Sequence, residues 1–204
     1  MQPNLDRGLS WPPRIAYAGR LSSEKGVHVL LESIAQLAAW DLTPQVLLAG
    51  DGPARASLEA DVVARHLPAG SVTFFGQLDR PALSRMLLDA DLFVQPSLTE
   101  GFPKASLDAL AHGLPVIGSD VGAARALIGS AGERGLLVPP GDAHSLTIAI
   151  LKMLEAPRDW PALRRRCHAY AKARTLEAWA DRAGRLCASQ WHLALVDGKL
   201  RPCT

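Results

Sequence analysis

The sequence alternates, over most of its length, between short apolar runs and longer segments with a helical repeat. The apolar runs occupy residues 15–18, 46–49, 72–75, 92–94, 115–117 and 136–138. They are uniformly apolar, which is typical of strands covered on both faces. Between them apolar residues recur at helical spacing, as at Val27, Leu30 and Ile34. This alternation predicts an α/β fold, a Rossmann-like doubly wound parallel sheet of about six strands with helices on both faces.

Several polar residues and glycines predict where helices begin and end. Asp79 and Asp142 precede helical segments and are expected to be N-caps, whereas His112-Gly113 is expected to end a helix. After residue 141 only helical patterns continue, so residues 156–204 are predicted to be a helical C-terminal tail packed on the same domain. Residues 14–155 are predicted to form that domain. Residues 1–13 are predicted to be a linker.

The bulk properties describe an ordinary globular protein. The chain has 204 residues, of which 48% are hydrophobic and 21% charged, and its net charge is +2. The basic residues are scattered, which argues against a nucleic-acid partner. Arg164-Arg165-Arg166 is expected on a solvated helix face. No apolar run approaches the roughly 18 residues of a membrane span.

The N-terminus and the cysteines predict a cytoplasmic protein. Residues 1–7 lack the basic-then-apolar pattern of a secretory signal. Cys167, Cys187 and Cys203 are odd in number and lack metal-type spacing, so we expect reduced thiols. The six histidines share no ligand spacing, and we expect no metal site and no bound cofactor.

Polar residues and glycines follow each predicted strand. In an open parallel sheet, ligands bind outside the carboxyl ends of the strands. Arg20 and Lys25 stand just before the first helix, where cations oppose the helix dipole unless an anion joins them. A diphosphate would reconcile this arrangement. The alternative is a solvated pair in which Lys25 is bridged to Glu24.

A second run carries two carboxylates around a turn that opens a helix. Glu100 and the unpaired amides of residues 101–104 would lie at the helix N-terminus, with Asp108 about two turns further along. Amides attract phosphate and a carboxylate accepts from hydroxyls, so the run indicates a nucleotide-sugar site. An acidic loop followed by an ordinary helix is the alternative. Neither a GxGxxG nor a GxxxxGK[ST] phosphate loop is present.

These motifs together resemble the carboxyl-terminal half of retaining glycosyltransferases of family 4, which have the GT-B fold. The resemblance covers residues 14–155, with the motifs in the family's order. The motifs are Gly19-Arg-Leu-Ser-Ser-Glu-Lys-Gly26, Ala49-Gly-Asp-Gly-Pro53, Phe75-Gly-Gln77, Glu100-Gly-Phe-Pro-Lys104, His112-Gly-Leu-Pro-Val116 and Leu136-Leu-Val-Pro-Pro-Gly-Asp142.

The resemblance implies roles for particular residues. Arg20, Lys25 and Glu100 would be catalytic: the two cations bind the donor's diphosphate and Glu100 contacts the hydroxyls of the donor sugar. Asp108 stands where the family has a glutamate that holds the ribose, so its reach is one methylene shorter. The other donor-binding residues would be Gly19, Gly76, Leu78, Gly101, Phe102, Pro103 and Lys104.

The resemblance also implies a function. The complete enzyme would transfer a sugar from a nucleoside diphosphate, UDP or GDP, to a polysaccharide or glycolipid precursor, with retention and without an obligatory metal. An acceptor domain is expected to precede residue 1, so this chain alone would bind nucleotide and be inactive. That domain could contact the inner face of a membrane. A sugar-nucleotide epimerase-like enzyme and a non-catalytic interaction module are the alternatives.

Overall fold

A computed structural model describes residues 2–130, 132–155, 159–191, 193–196 and 199–202. The strands are β1 (Arg14–Ala18), β2 (Gln45–Ala49), β3 (Val72–Gly76), β4 (Leu92–Gln95), β5 (Val116–Ser119), β6 (Gly135–Val138), β7 (Leu193–Val196) and β8 (Lys199–Pro202). The helices are α1 (Val27–Ala38), α2 (Arg55–Ala64), α3 (Arg80–Asp89), α4 (Lys104–Ala111), α5 (Ala124–Ile128), α6 (Ala143–Glu155), α7 (Trp160–Lys172) and α8 (Leu176–Trp191).

The first six strands form one parallel sheet in the order β3-β2-β1-β4-β5-β6. The predicted doubly wound, Rossmann-like sheet of six strands is therefore confirmed. The order reverses between β1 and β4, which places the usual ligand crevice of such sheets at the carboxyl ends of these strands. Ile15, Phe93 and Ile117 in the central strands are fully buried, as uniformly apolar runs require.

The edge strand β3 departs from the expectation of strands covered on both faces. Thr73 and Phe75 are exposed while Val72 and Phe74 are half-buried. The side chains of this edge strand are therefore less covered than those of the central strands.

The predicted helix ends are confirmed. The Asp79 carboxylate accepts from the Ala82 amide at 2.8 Å, and the Asp142 carboxylate accepts from the Ser145 amide at 2.9 Å. Helix α4 ends at Ala111, and Gly113 follows with a φ of 76°. The two aspartates accept hydrogen bonds from amides that the first turn of each helix leaves unpaired. Gly113 supplies the left-handed turn that ends α4.

The prediction that the tail is entirely helical is wrong. Helices α6, α7 and α8 are present, and α7 packs against α4. After α8, however, β7 and β8 form an antiparallel pair in which Val196 is opposite Lys199. Two adjacent antiparallel segments form their backbone hydrogen bonds with each other, and such pairing needs no helical repeat in the sequence. Cys203 lies outside the described residues.

Residues 2–13, which belong to the predicted linker, contain no helix or strand, but they are attached to the sheet through a buried carboxylate. Asp91 is fully buried and accepts from the Arg7 guanidinium, the Ser10 hydroxyl and the Arg14 amide. Arg164 on α7 also donates to Asp91. The expectation that Arg164 lies on a solvated helix face is therefore wrong, because this acidic partner makes its burial possible.

The described cysteines differ in accessibility. Cys167 is fully buried and Cys187 is partly exposed, and both are free thiols. Burial raises the pKa of the Cys167 thiol to about 12. None of the helices in the described part of the chain has the length and apolar character needed to cross a membrane.

Candidate functional site

A cavity of about 390 Å³ opens at the carboxyl ends of β1, β2 and β3. Three of the predicted site residues, Gly19, Arg20 and Leu78, line it. Gly76 lies at its edge, where its carbonyl accepts from the Gly50 amide at 2.8 Å. The other lining residues are Ala18, Ala49, Gly50, Asp51, Gln77 and Leu83.

The floor of this cavity requires backbone segments to approach each other closely. Gly50 has a φ of +134°, and a Cβ there would lie 1.8 Å from the Gly19 carbonyl oxygen. Any side chain at Gly50 would therefore displace the turn after β1. The glycine at this position keeps the two strand-end turns in contact.

Tyr17 fixes the turn that presents Arg20. The Tyr17 side chain is fully buried, and its hydroxyl donates to the Arg20 carbonyl at 2.9 Å. Burial raises the pKa of Tyr17, and the charges of Glu100 and Glu24 raise it further. The Arg20 side chain is exposed and has no carboxylate partner among the described residues. Within the described part of the chain, Arg20 is thus a cation without an ion-pair partner at the rim of the cavity.

Lys25 and Glu100 form an ion pair that joins the turn after β1 to the loop after β4. Lys25 Nζ lies 2.8 Å from Glu100 Oε2, and the side chains are 24% and 17% exposed. The Leu98 amide, which donates to the Glu24 carbonyl at 2.8 Å, joins the same two loops. The predicted cation and carboxylate therefore meet directly, and the alternative bridge from Lys25 to Glu24 is not formed.

Glu24 is held in a different way. The Ser22 hydroxyl donates to its carboxylate at 2.6 Å. This hydrogen bond lowers the pKa of Glu24, as do its own backbone amide and the charges of Arg20 and Lys25. The two cations therefore act on one small region, even though only Lys25 has an ion-pair partner.

The loop before α4 presents fewer amides than expected. Pro103 has no N–H, and the Lys104 amide donates to the Phe102 carbonyl at 2.9 Å. The expectation of unpaired amides over all of residues 101–104 is therefore wrong. Within the described residues, only the amides of Gly101 and Phe102 in this stretch lack a protein acceptor.

The turn after β5 holds this loop in place. The Ala123 amide donates to the Gly101 carbonyl at 2.9 Å, and a Cβ on Gly122 would lie 2.0 Å from the Glu100 carbonyl oxygen. Gly122 has a φ of +52°. The position of Glu100 therefore depends on a second close backbone approach.

The remaining predicted residues do not line the cavity. Asp108 and Lys104 are exposed on α4, and Pro103 is buried. Phe102 is 48% exposed and lines a separate cavity with Tyr170 and Trp179. The structure thus brings together the residues of the first three turns and joins them to Glu100 through Lys25. Asp108 is exposed on α4 and is not among the residues that line the cavity.

Sequence reasoning missed Tyr17. Tyr17 is part of an apolar run, although a phenol within such a run requires a hydrogen-bond partner. That requirement could have indicated a turn held nearby. Gln77, which belongs to the motif Phe75-Gly-Gln77, lines the cavity directly after β3.

No three His, Cys, Asp or Glu side chains in the described ranges are grouped as metal ligands would be. The independence of the reaction from a metal stays a prediction.

The fold and the strand-end cavity define the class, a GT-B glycosyltransferase. The chain belongs to the family described as glycosyl transferases group 1, whose model matches residues 12–156.

Two curated relatives illustrate this membership. The chain is 37% identical over 148 residues to a putative teichuronic acid biosynthesis glycosyltransferase of Bacillus subtilis, covering 71% of this chain and 34% of that protein. It is 30% identical over 197 residues to the glycogen synthase of Mycobacterium tuberculosis, covering 96% of this chain and 46% of that protein. The chain therefore spans between a third and a half of the length of these relatives.

Solved structures show the same fold. A sucrose-phosphate synthase from Thermosynechococcus elongatus superposes with a TM-score of 0.77 at 32% identity, covering 88% of this chain and 46% of that one. Anabaena HepE, solved in complex with UDP and glucose, has a TM-score of 0.74 at 23% identity, covering 86% of this chain and 48% of that one. The second likeness shows the fold alone.

Proposed function

We propose that this chain is the donor-binding half of a retaining GT-B glycosyltransferase of family 4. The complete enzyme transfers a sugar from a nucleoside-diphosphate sugar to a polysaccharide or glycolipid precursor. The observation that carries the proposal is the unpartnered Arg20 at a strand-end cavity, joined through the same turn to the Lys25–Glu100 pair. The relative from teichuronic acid biosynthesis supports the polysaccharide acceptor.

The cavity provides the place for the nucleoside. Gly76, Gln77 and Leu78 supply backbone groups and an apolar wall, which suit a flat base. Arg20 at the rim provides a planar fork of donors for the diphosphate. Anabaena HepE, solved with UDP and glucose, is a fold neighbour whose bound ligands are of this chemistry.

The charges account for catalysis of sugar transfer. Breaking the bond between sugar and phosphate places negative charge on the departing diphosphate and positive character on the sugar ring. Arg20, Lys25 and the amides of Gly101 and Phe102 stabilise the departing charge, because they are already held in position by the fold. The Glu100 carboxylate accepts hydrogen bonds from the sugar hydroxyls.

In this account Lys25 changes partners when the donor binds. The ammonium is paired with Glu100. A diphosphate carries more charge than one carboxylate, so it attracts the ammonium and leaves Glu100 free to accept from the sugar. The pair therefore holds both groups in place before the donor arrives.

A titration of this chain with UDP, GDP and uridine tests the proposal by calorimetry. We expect one nucleoside diphosphate to bind and uridine to bind at least about tenfold more weakly, because it lacks the charged group. Arg20→Ala should weaken nucleoside-diphosphate binding by about tenfold, whereas Arg165→Ala should leave it unchanged. Arg165 on α7 is the control, since it pairs with Asp6 of the N-terminal segment.

Absence of heat with every nucleoside diphosphate, in a chain shown to be folded by circular dichroism, would contradict the proposal. We further expect no sugar transfer by this chain alone. Location in the cytoplasm, with the complete enzyme at the inner face of a membrane, stays a prediction.

A non-catalytic interaction module is the second candidate function. The observation that favours it is Asp108, which stands in place of the longer glutamate and is exposed without lining the cavity. Such a module need not bind nucleotide, so the same titration separates the two functions. For an epimerase-like enzyme, a catalytic histidine should border the cavity, and no histidine of the described residues lines it.

A further inference from the structure

A second cavity, of about 360 Å³, lies where the loop before α4 meets α5, α7 and α8. The residues that line it are mainly apolar, and two of them have large aromatic side chains that are exposed to solvent. Phe102 is 48% exposed and Trp179 is 66% exposed. Exposed aromatic side chains that border one concave site indicate a place where a ligand is bound.

Two cations without acidic partners border this apolar cavity. Arg174 lies with its guanidinium carbon 3.5 Å from the centre of the Tyr170 ring and donates to the Tyr170 carbonyl at 3.2 Å. Arg182, one turn after Trp179 on α8, also lines the cavity. Neither Arg174 nor Arg182 has a carboxylate partner within the described part of the chain.

The next arginine on α8 shows the contrast. Arg185 pairs with Asp181 on its own helix. The helix therefore has an acidic residue available, yet the two arginines at the cavity remain unneutralised. Two exposed positive charges that border one apolar cavity attract an anionic ligand to it.

We propose that this cavity binds an anionic amphiphile, with its apolar group against Phe102 and Trp179 and a phosphate monoester at Arg174 and Arg182. The aliphatic and aromatic walls offer few acceptors for hydroxyl groups, which disfavours a bare saccharide. Phe102 is two residues from Glu100. Resting on the proposed function, the ligand is the phosphorylated carrier to which the acceptor is attached.

Decyl phosphate, used below its micelle-forming concentration, is the probe for this chain. We expect calorimetry to detect its binding, with decanol and inorganic phosphate each at least about tenfold weaker, because each lacks one half of the interaction. Arg182→Gln should weaken decyl phosphate binding by about tenfold, whereas the matched variant Arg185→Gln should not. UDP is titrated in the same samples.

Equal affinity of the wild-type chain and Arg182→Gln for decyl phosphate would overturn the proposal, as would equal binding of inorganic phosphate. Vesicles of phosphatidylglycerol and phosphatidylcholine distinguish a soluble ligand from a lipid surface. Binding to anionic vesicles without binding of monomeric decyl phosphate would also overturn it. UDP binding without decyl phosphate binding rejects this inference alone, whereas the reverse result rejects the proposed function alone.

Discussion

The guanidinium of Arg164 lies 3.3 Å from the carboxylate of Asp91, and the two side chains are only 3% and 0% exposed. This pair connects α7 to the turn that precedes β4. The same carboxylate accepts from the Arg14 amide at 2.9 Å, and Arg7 also donates to it. Burial lowers the pKa of Arg164, and the positive charge of Arg7 lowers it further. The negative charge of Asp91 raises the pKa of Arg164 and so opposes both effects.

Asp91→Ala should lower the free energy of unfolding by about 3–5 kcal/mol, because it leaves the buried Arg164 without its counter-charge. Urea unfolding followed by circular dichroism measures this change. Asp181→Ala is the control, since the Asp181–Arg185 pair is exposed and should contribute no more than about 1 kcal/mol. Equal losses in the two variants would show that the buried pair has no special role.

Gly26→Ala should destabilise the turn that carries Lys25. Gly26 has a φ of +66°, and a Cβ there would lie 2.0 Å from the Pro96 carbonyl oxygen. The backbone conformation alone costs about 1–3 kcal/mol for a residue other than glycine. The overlap with Pro96 adds to that cost and should also weaken binding of nucleoside diphosphate.

Gly70→Ala provides the matched control for Gly26→Ala. Gly70 has a φ of +79° but no atom within 4 Å of an added Cβ. Its substitution therefore has only the conformational cost. If urea unfolding gives the same loss for both variants, the contact with Pro96 does not constrain the turn.

Substitutions of the Lys25–Glu100 pair should have opposite effects on UDP binding. Lys25→Met removes a cation and should weaken UDP binding by about tenfold. Glu100→Gln removes the carboxylate that competes for Lys25, so UDP itself should bind as tightly or more tightly. Calorimetry with UDP and with a UDP-sugar measures both effects.

The same Glu100→Gln variant should lose the extra affinity that a sugar group provides. A UDP-sugar should therefore bind no better than UDP, because the carboxylate that accepts from the sugar hydroxyls is gone. If Glu100→Gln retains the full preference for the UDP-sugar, Glu100 does not contact the sugar.

Tyr17→Phe should change how stability depends on pH. Burial raises the pKa of Tyr17 above the ordinary value of about 10. The folded chain therefore keeps this proton when the unfolded chain has lost it, and stability falls as the pH rises above about 10. Near neutral pH the variant should lose about 1 kcal/mol with its hydrogen bond to the Arg20 carbonyl.

Urea unfolding of both proteins between pH 7 and about pH 11 tests this expectation. The stability difference between wild type and Tyr17→Phe should shrink as the pH rises, because only the wild type has the phenol to titrate. A constant difference across the range would show that Tyr17 ionises in the fold as readily as in the unfolded chain.

The sheet could be predicted from the sequence because its strands are short, uniformly apolar and separated by clear helical repeats. The helices of the tail were predictable for the same reason, but the β7–β8 pair was not, because helical spacing does not reveal local strand pairing. The dipeptide Asp197-Gly198, which is typical of hairpin turns, was the available signal.

The contacts and burial of charged side chains were harder to predict from the sequence than the strands. The Lys25–Glu100 contact joins loops 75 residues apart, and only the sheet order brings them together. The sequence predicts an exposed Arg164 because arginines in a consecutive run usually lie on the surface. Its burial depends on Asp91, which precedes a strand and carries no motif that would indicate an internal partner.

The crowding at Gly50 limits how the cavity can be altered. Since the approach of the Gly19 carbonyl excludes even a methyl group there, variation at this position is closed to protein engineering. Redesign of the cavity should therefore begin at other lining positions, such as Gln77, Leu78 and Leu83.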